Sequence, residues 1–308
     1  MCTSAPSFVS LPGVVRQLPQ AYRFRVGSVL VTALSDGSVP LYPKKVLKGI
    51  GEEVLEQYLG EYLFPEHIET SINVFLVELK DRRVLIDVGA GEFFGEVGGR
   101  MLENLSYAGV HPRDVTDILV THAHADHAGG LVSEGEPTFP NAVVHIGQAD
   151  IDYFLDPAES GRAGYLPEDM ADIYEQMRNA IGPYVASGQV QTFDREVEIL
   201  PGITASPCPG HTPGSACYTI KTGGGSLVFV GDMVHVEAVQ FRAPEVSITY
   251  DVDPDRAAET RSAMFSKLAA EGALVAAPHL RYPGIGHIRK DSKGFSWIPM
   301  IFGDRYPG

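Results

Sequence analysis

Cysteine is scarce in this 308-residue chain, and its three copies, Cys2, Cys208 and Cys217, are too few for a disulfide framework. They are read as reduced thiols. Long apolar runs are missing as well: the longest are short segments such as Ser226 to Val230, far from the roughly 18 to 20 residues that span a bilayer. No membrane role is expected. Basic residues are in short supply, with 24 Lys and Arg against 39 Asp and Glu, and the formal net charge of −15 repels a phosphate backbone. Nucleic acid is therefore not an expected partner. Met1 to Leu11 carries neither a basic n-region nor a continuous apolar h-region, so a cytoplasmic location is expected, or a periplasmic or secreted one if a leader was removed. What remains, 44% hydrophobic and 20% charged residues, is the composition of an ordinary globular domain.

The first twenty residues hold Pro6, Pro12 and Pro19 with little periodicity, which reads as an N-terminal arm over 1–20. From residue 21 to 308 the pattern fits a single domain. Tyr22 to Val26 and Val29 to Leu34 read as a hairpin turning at Gly27 and Ser28, and Asn73 to Leu79 and Arg83 to Asp87 repeat that arrangement. Helical spacing marks Met101 to Ala108, and Ile173, Met177 and Ile181 share a second helix. Buried strands are expected at Ile118 to Val120, Ser226 to Val230 and Ala273 to Ala277. A helix over Pro254 to Glu271 opens on an N1-type proline. Strands and helices alternate through two similar halves, which implies a layered α/β domain with sheets inside and helices outside.

The chemistry concentrates in THAHADHAGG, Thr121 to Gly130, where His122, His124, Asp126 and His127 follow directly on an apolar strand. Neutral imidazole and carboxylate are the donors that suit zinc and similar divalent ions, and short side chains on a tight turn can converge on one point. His122 and His124 can aim at one ion while Asp126 and His127 aim at a second. Three later positions have the same setting, each just beyond an apolar strand and beside glycine or proline. His211 lies in PCPGHTPG, Asp232 follows Leu227 to Gly231, and His279 follows Leu274 to Pro278. Taken singly, each has a bland alternative: a surface histidine, or a strand-end aspartate that caps a helix.

The order HxHxDH, then His, then Asp, then His resembles the metallo-β-lactamase superfamily from about Tyr22 onward. That resemblance implies an α/β fold of αββα four-layer type. It places His122, His124 and His211 on one metal, Asp126, His127 and His279 on the other, and Asp232 between them. Two divalent ions per chain follow, zinc by default, with Mn2+, Co2+ or Fe2+ as alternatives. Zinc β-lactamases usually carry Cys where Asp232 stands, and flavodiiron relatives carry Glu where His124 stands, so hydrolysis of something other than a β-lactam is implied. Gly231 to Phe241, GDMVHVEAVQF, and Pro278 to Ile288, PHLRYPGIGHI, resemble the methyl parathion hydrolase group. The implied activity is that of an organophosphorus hydrolase acting also on aryl esters and lactones. Acyl homoserine lactonases typically have Tyr three residues after the bridging aspartate, where this chain has His235.

Two ions sharing a water would lower its pKa toward about 7 and polarise a carbonyl or phosphoryl oxygen, so no side-chain nucleophile is needed. Asp126, Asp232 and His235 are the expected catalytic residues, with Asp126 orienting the nucleophile's proton and His235 hydrogen-bonding a substrate oxygen. Phe93, Phe94, Phe154 and Ile248, with His235, are the expected substrate wall. Asp87 at its strand end is the expected carboxylate behind a ligand histidine. A small-molecule ester, lactone or organophosphate is the expected partner, together with a second copy of the chain paired through the arm before Tyr22. Two alternatives are a thioesterase of the glyoxalase II kind, for which no basic cluster offers a glutathione site, and an acyl homoserine lactone lactonase. A scaffold that had lost its metals would not be expected to keep all seven ligands.

Overall fold

The computed structural model describes residues 18, 20–64, 66–156, 172–223, 225–301 and 303. The arm expected over 1–20 lies almost wholly outside them. Two seven-stranded sheets carry the fold, and in both the strands lie side by side in chain order. The first comprises β1 (Ala21–Val26), β2 (Val29–Leu41), β3 (Ile68–Glu78), β4 (Arg83–Ile86), β5 (Asp117–Leu119), β6 (Val143–Gly147) and β7 (Val190–Phe193). The second comprises β8 (Val197–Leu200), β9 (Ile203–Pro207), β10 (Ala216–Thr222), β11 (Gly225–Phe229), β12 (Leu274–Ala276), β13 (Ile285–Lys290) and β14 (Phe295–Pro299). β1 to β4 pair antiparallel, whereas β4 to β7 run parallel. In the second sheet only β11 and β12 are parallel.

Alternation along the strands builds the layers. In β3, Phe75 and Val77 face the second sheet, where they meet Tyr218, Phe229 and Ile220, while Val74 and Leu76 face helices on the other side. Both faces of the central strands are thus buried, which is why those strands read as apolar runs. Helices α2 (Met101–Tyr107), α3 (Gln148–Leu155) and α4 (Ile173–Ala186) cover the first sheet through Met101, Leu105, Phe154 and Met177. Helix α5 (Pro254–Glu271) covers the second through Phe265 and Leu268. This is the αββα sandwich. A smaller cluster, led by Leu55 and Leu59 of α1 (Glu52–Glu61), packs Val236, Val239 and Ile248 beside the sandwich.

Helix α5 has the expected bounds because its ends are chemically marked. The Asp253 side chain accepts the Arg256 N–H, Pro254 follows at the first helical position, and Gly272 closes the helix at φ +61°. The first hairpin is longer than expected: β2 continues past Leu34 to Leu41 across an irregularity between Ser35 and Gly37. Asp36 is the reason. A buried carboxylate interrupts the apolar pattern, and it is accommodated by N–H donors from Ala90, Gly99 and Met101. Among the described residues, no helix is long and apolar enough to cross a membrane.

Candidate metal centre

The predicted ligands come from five separate places that the two sheets bring to one edge. β5 ends at Leu119 and delivers His122 and His124, and a four-residue helical turn, Ala125–Ala128, delivers Asp126 and His127. The loop after β9 delivers His211, the turn after β11 delivers Asp232, and the turn after β12 delivers His279. All seven converge. The ring nitrogens His122 Nε2 and His211 Nε2 each lie 3.1 Å from His124 Nδ1. Asp232 Oδ2 stands 3.5 Å from His122 Nε2 and 3.2 Å from His211 Nε2. On the other side, Asp232 Oδ1 stands 3.1 Å from both His127 Nε2 and His279 Nε2, and Asp126 Oδ2 is 3.6 and 3.3 Å from the same two nitrogens.

These spacings test whether cations fit. Tetrahedral bonds of about 2.0 to 2.1 Å separate neighbouring donors by about 3.4 Å, close to the distances in both sets. Asp232 offers one oxygen to each. Its Oδ1 and the His127 Nε2 facing it are buried and have no hydrogen-bond partner, which is costly for a carboxylate unless a cation sits between them. The donors group as His122, His124, His211 and Asp232, and as Asp126, His127 and His279, each set within 4.8 Å. The residues fit a pair of divalent ions.

Behind the donors, the outward nitrogens are held by acceptors, which fixes ring orientation. Asp87 Oδ2 lies 2.8 Å from His127 Nδ1 while its carboxylate also accepts the Thr121 N–H and hydroxyl. Asp87, expected in this role, takes φ +59°, a conformation open mainly to Asn, Asp and Gly. Asp251, which the sequence reading missed, lies 2.8 Å from His211 Nδ1 and accepts the Ile248 N–H. Arg261, wholly buried, ion-pairs Asp251 at 3.6 Å and donates to the carbonyls of Met233, Pro244 and Val246. The Ser71 carbonyl stands 2.9 Å from His279 Nδ1.

The charge balance follows from burial. Asp232 is pushed up by burial, yet the rings of His127, His279 and His122 hold it well below the carboxylate range. Burial works against charge on His211, but Asp232 and Asp251 raise it to about 9. His122 and His124 fall well below the usual imidazole value, through burial first and then neighbouring rings. They are neutral donors, as metal ligation requires.

Asp150 is another residue the sequence reading missed. It belongs to the first turn of α3 and is wholly buried. Its Oδ2 accepts the Ala123 N–H and the Thr212 hydroxyl, and Oδ1 accepts the Gly214 N–H at 2.6 Å. Ala123 sits between His122 and His124, and Thr212 follows His211, so one carboxylate ties together both loops that supply the first donor set. Gly214 is required there: a Cβ would lie 2.4 Å from the Asp150 nitrogen.

A cavity of about 340 Å3 opens onto both donor sets and is lined by Phe93, Phe94, Ile173, Tyr250 and the tip of β2, Val39 to Leu41. A second, of about 240 Å3, meets it at Thr70, His235 and His279 and ends at Glu237 and Arg281, which form a two-pronged ion pair. His235 is buried between them, with Nε2 3.1 Å from Asp232 Oδ2 and its ring stacked on His279. Of the expected wall residues, Phe93 and Phe94 line the first cavity. Phe154 and Ile248 do not. Phe154 is sequestered in the core behind His124, whose ring it meets edge-on, and Ile248 packs into the Leu55 and Leu59 cluster, so neither lines the cavity. Their apolar side chains followed the core, the commoner fate of such residues. Tyr250 and β2 replace them on the wall. His145 pairs with Asp117 and belongs to neither donor set.

The metallo-β-lactamase superfamily profile matches residues 67–279, and the chain belongs to that superfamily. Among solved structures, the hydrolase AbOPH of the β-lactamase superfamily is 38% identical with a TM-score of 0.87, covering 94% of this chain and 100% of that one. AidC, a dizinc quorum-quenching lactonase solved with a product, N-hexanoyl-L-homoserine, is 28% identical at the same TM-score, covering 93% and 99%. An N-acyl homoserine lactonase of Bacillus cereus is 25% identical over 175 residues, 51% of this chain. That match takes in 60% of the lactonase's own length, as does the match to the protein YobT of Bacillus subtilis (strain 168).

Proposed function

We propose that this chain hydrolyses lactones and aryl esters, with organophosphate triesters as further substrates, on two divalent ions that are zinc by default. The observation that carries the reading is the single buried carboxylate, Asp232, offering one oxygen to each of two donor sets at the mouth of a two-lobed cavity. Ions so held would supply an acidified water and a cation to polarise the substrate oxygen. The chain's own groups do the rest. Asp126, the most exposed of the donors, faces the cavity and orients the proton of the attacking water. His235 separates the lobes and positions the reacting ester between them. Phe93 and Phe94 exclude water around the apolar portion of the substrate.

Acyl homoserine lactones form a second reading, supported by AidC and the Bacillus lactonase, and they belong in the same test. The experiment is a kcat/KM panel on metal-replete protein over dihydrocoumarin, an aryl acetate, N-hexanoyl homoserine lactone, a glutathione thioester and an aryl dialkyl phosphate. Lactone or aryl ester efficiency should lead, with measurable triester turnover. A lead by the thioester would replace this reading with the glyoxalase II one, and no turnover on any member would sink it.

A further inference from the structure

Neither donor set uses sulfur, yet two of the three cysteines meet beside them. Cys208 directly follows β9 and Cys217 is the second residue of β10. The two strands are in register at Pro207 with Ala216, and the Cys208 N–H continues the ladder to the Ser215 carbonyl. The thiols therefore face each other across the base of the loop that carries His211, with Sγ atoms 3.0 Å apart. Both are reduced and buried. A cavity of about 20 Å3 reaches Cys208 from the side of His122, Asp232 and Met233. That is room for one molecule of about the size of water.

We propose that Cys208 and Cys217 are an oxidisable pair that closes the neck of the His211 loop as a disulfide when a peroxide-class oxidant reaches it. A disulfide bond is about 2.05 Å long, so the sulfurs need to approach by only about 1 Å, within the reach of side-chain adjustment. Cys208 reacts first, because it lines the cavity and Cys217 does not, and the hydrogen bond from Cys208 together with burial pushes the Cys217 thiol up. The Cys208 sulfur attacks one peroxide oxygen, the O–O bond breaks, and the departing oxygen leaves as water with the thiol proton. Cys208 is then a sulfenic acid. The Cys217 sulfur attacks it, the S–S bond forms, the S–O bond breaks, and the hydroxyl leaves as a second water with the Cys217 proton. Two thiols lose two electrons and one hydrogen peroxide gains them. The loop between the sulfurs, Pro209 to Ala216, is pinned at its neck with His211 still in place, so the closed form should hold its metal for longer.

The test uses metal-replete protein carrying Cys2→Ser, treated with hydrogen peroxide, unfolded, and alkylated for intact mass and peptide mapping. Oxidation should take the alkylatable thiols from two to none, with a peptide cross-linked between Cys208 and Cys217, and dithiothreitol should restore both. Cys208→Ser and Cys217→Ser should each form no such cross-link. Two thiols still alkylatable after prolonged oxidation, a Cys208 sulfinic acid in place of the cross-link, or a link between chains would overturn the proposal. Metal transfer from the oxidised protein to a chromogenic chelator should slow by about threefold or more, since a pinned loop opens less often. An unchanged rate would remove the role in metal retention. The thiol count does not depend on catalysis, so it stands or falls apart from the substrate reading.

Discussion

Replacing Asp150 by Asn changes one atom of a wholly buried side chain and should still disable the first donor set. The carboxylate accepts three hydrogen bonds, from Ala123, Thr212 and Gly214, and an amide can accept on one oxygen only. If the new NH2 faces Gly214, a buried N–H is left opposed to another donor. If it faces Ala123, the same happens there, while the Thr212 hydroxyl can turn to donate elsewhere. A hydrogen bond to a charged group is worth about 1.5 to 3 kcal/mol, and a stranded buried donor costs a comparable amount. The expected loss is about 3 kcal/mol, which lowers Tm by about 5 °C for a chain of 308 residues. Burial pushes the Asp150 carboxyl up to about 6, so melts belong at pH 8, where the native side chain is ionised. Because the residue joins the His122–His124 turn to the His211 loop, metal affinity at that set should also fall by about 10- to 100-fold. Thr212→Ala removes one of the three donors and should cost about 1 kcal/mol, giving a graded series. The assays are differential scanning calorimetry and zinc content after dialysis against a competing chelator. An Asp150→Asn protein within about 2 °C of the parent and holding its zinc equally well would refute the view that this carboxylate organises the site.

Four further outcomes follow from the same geometry. Elemental analysis should find two ions per chain, and Asp232→Ala should leave one or fewer and lower activity by more than about 100-fold, the ceiling for residues that act only behind the donors; substantial activity in that variant contradicts the shared-carboxylate arrangement. His235→Ile should raise the ratio of phosphotriester to lactone efficiency by at least about tenfold, or about 1.4 kcal/mol of differential transition-state binding, because a polar ring able to hydrogen-bond a lactone oxygen gives way to an apolar side chain that suits the alkoxy groups of a triester; steady-state kinetics on dihydrocoumarin and an aryl dialkyl phosphate decide it. Burial raises the Asp117 carboxyl, but His145, Thr116 and Arg82 hold it below its ordinary 3.8, so its stabilising contribution is present above that pH and fades as pH falls through the folded-state value; Asp117→Asn should flatten acid unfolding in that window, and an unaltered acid limb counts against it. Light scattering on the full chain and on one starting at Ala21 tests pairing through the N-terminal arm, with a monomer in both arguing against it.

The donor set was legible because its chemistry is local. Three histidines and an aspartate within six residues have no structural reason to occur together, and strand-end placement singled out His211, Asp232 and His279. Strands buried on both faces announced themselves as apolar runs, and α5 through its proline, cap and glycine. What stayed hidden depends on distance across the fold. Asp150 and Asp251 sit in ordinary acidic surroundings, and only the meeting of α3 with two loops, or of Asp251 with His211, makes them part of the centre. Phe154 and Ile248 mark the same limit from the other side: an apolar residue near a site in sequence is drawn to whichever core lies closer, and each found one. The wall is built in part from β2, whose extension to Leu41 is paired with Ile68 to Ile72, beside the turn where Asp36 accepts from Ala90, Gly99 and Met101. In this chain the reactive atoms are therefore written in short motifs, while the shape around them comes from buried carboxylates that fasten distant loops. Variation in substrate preference should accordingly follow those fastenings and the loops they hold, and leave the seven donors unchanged.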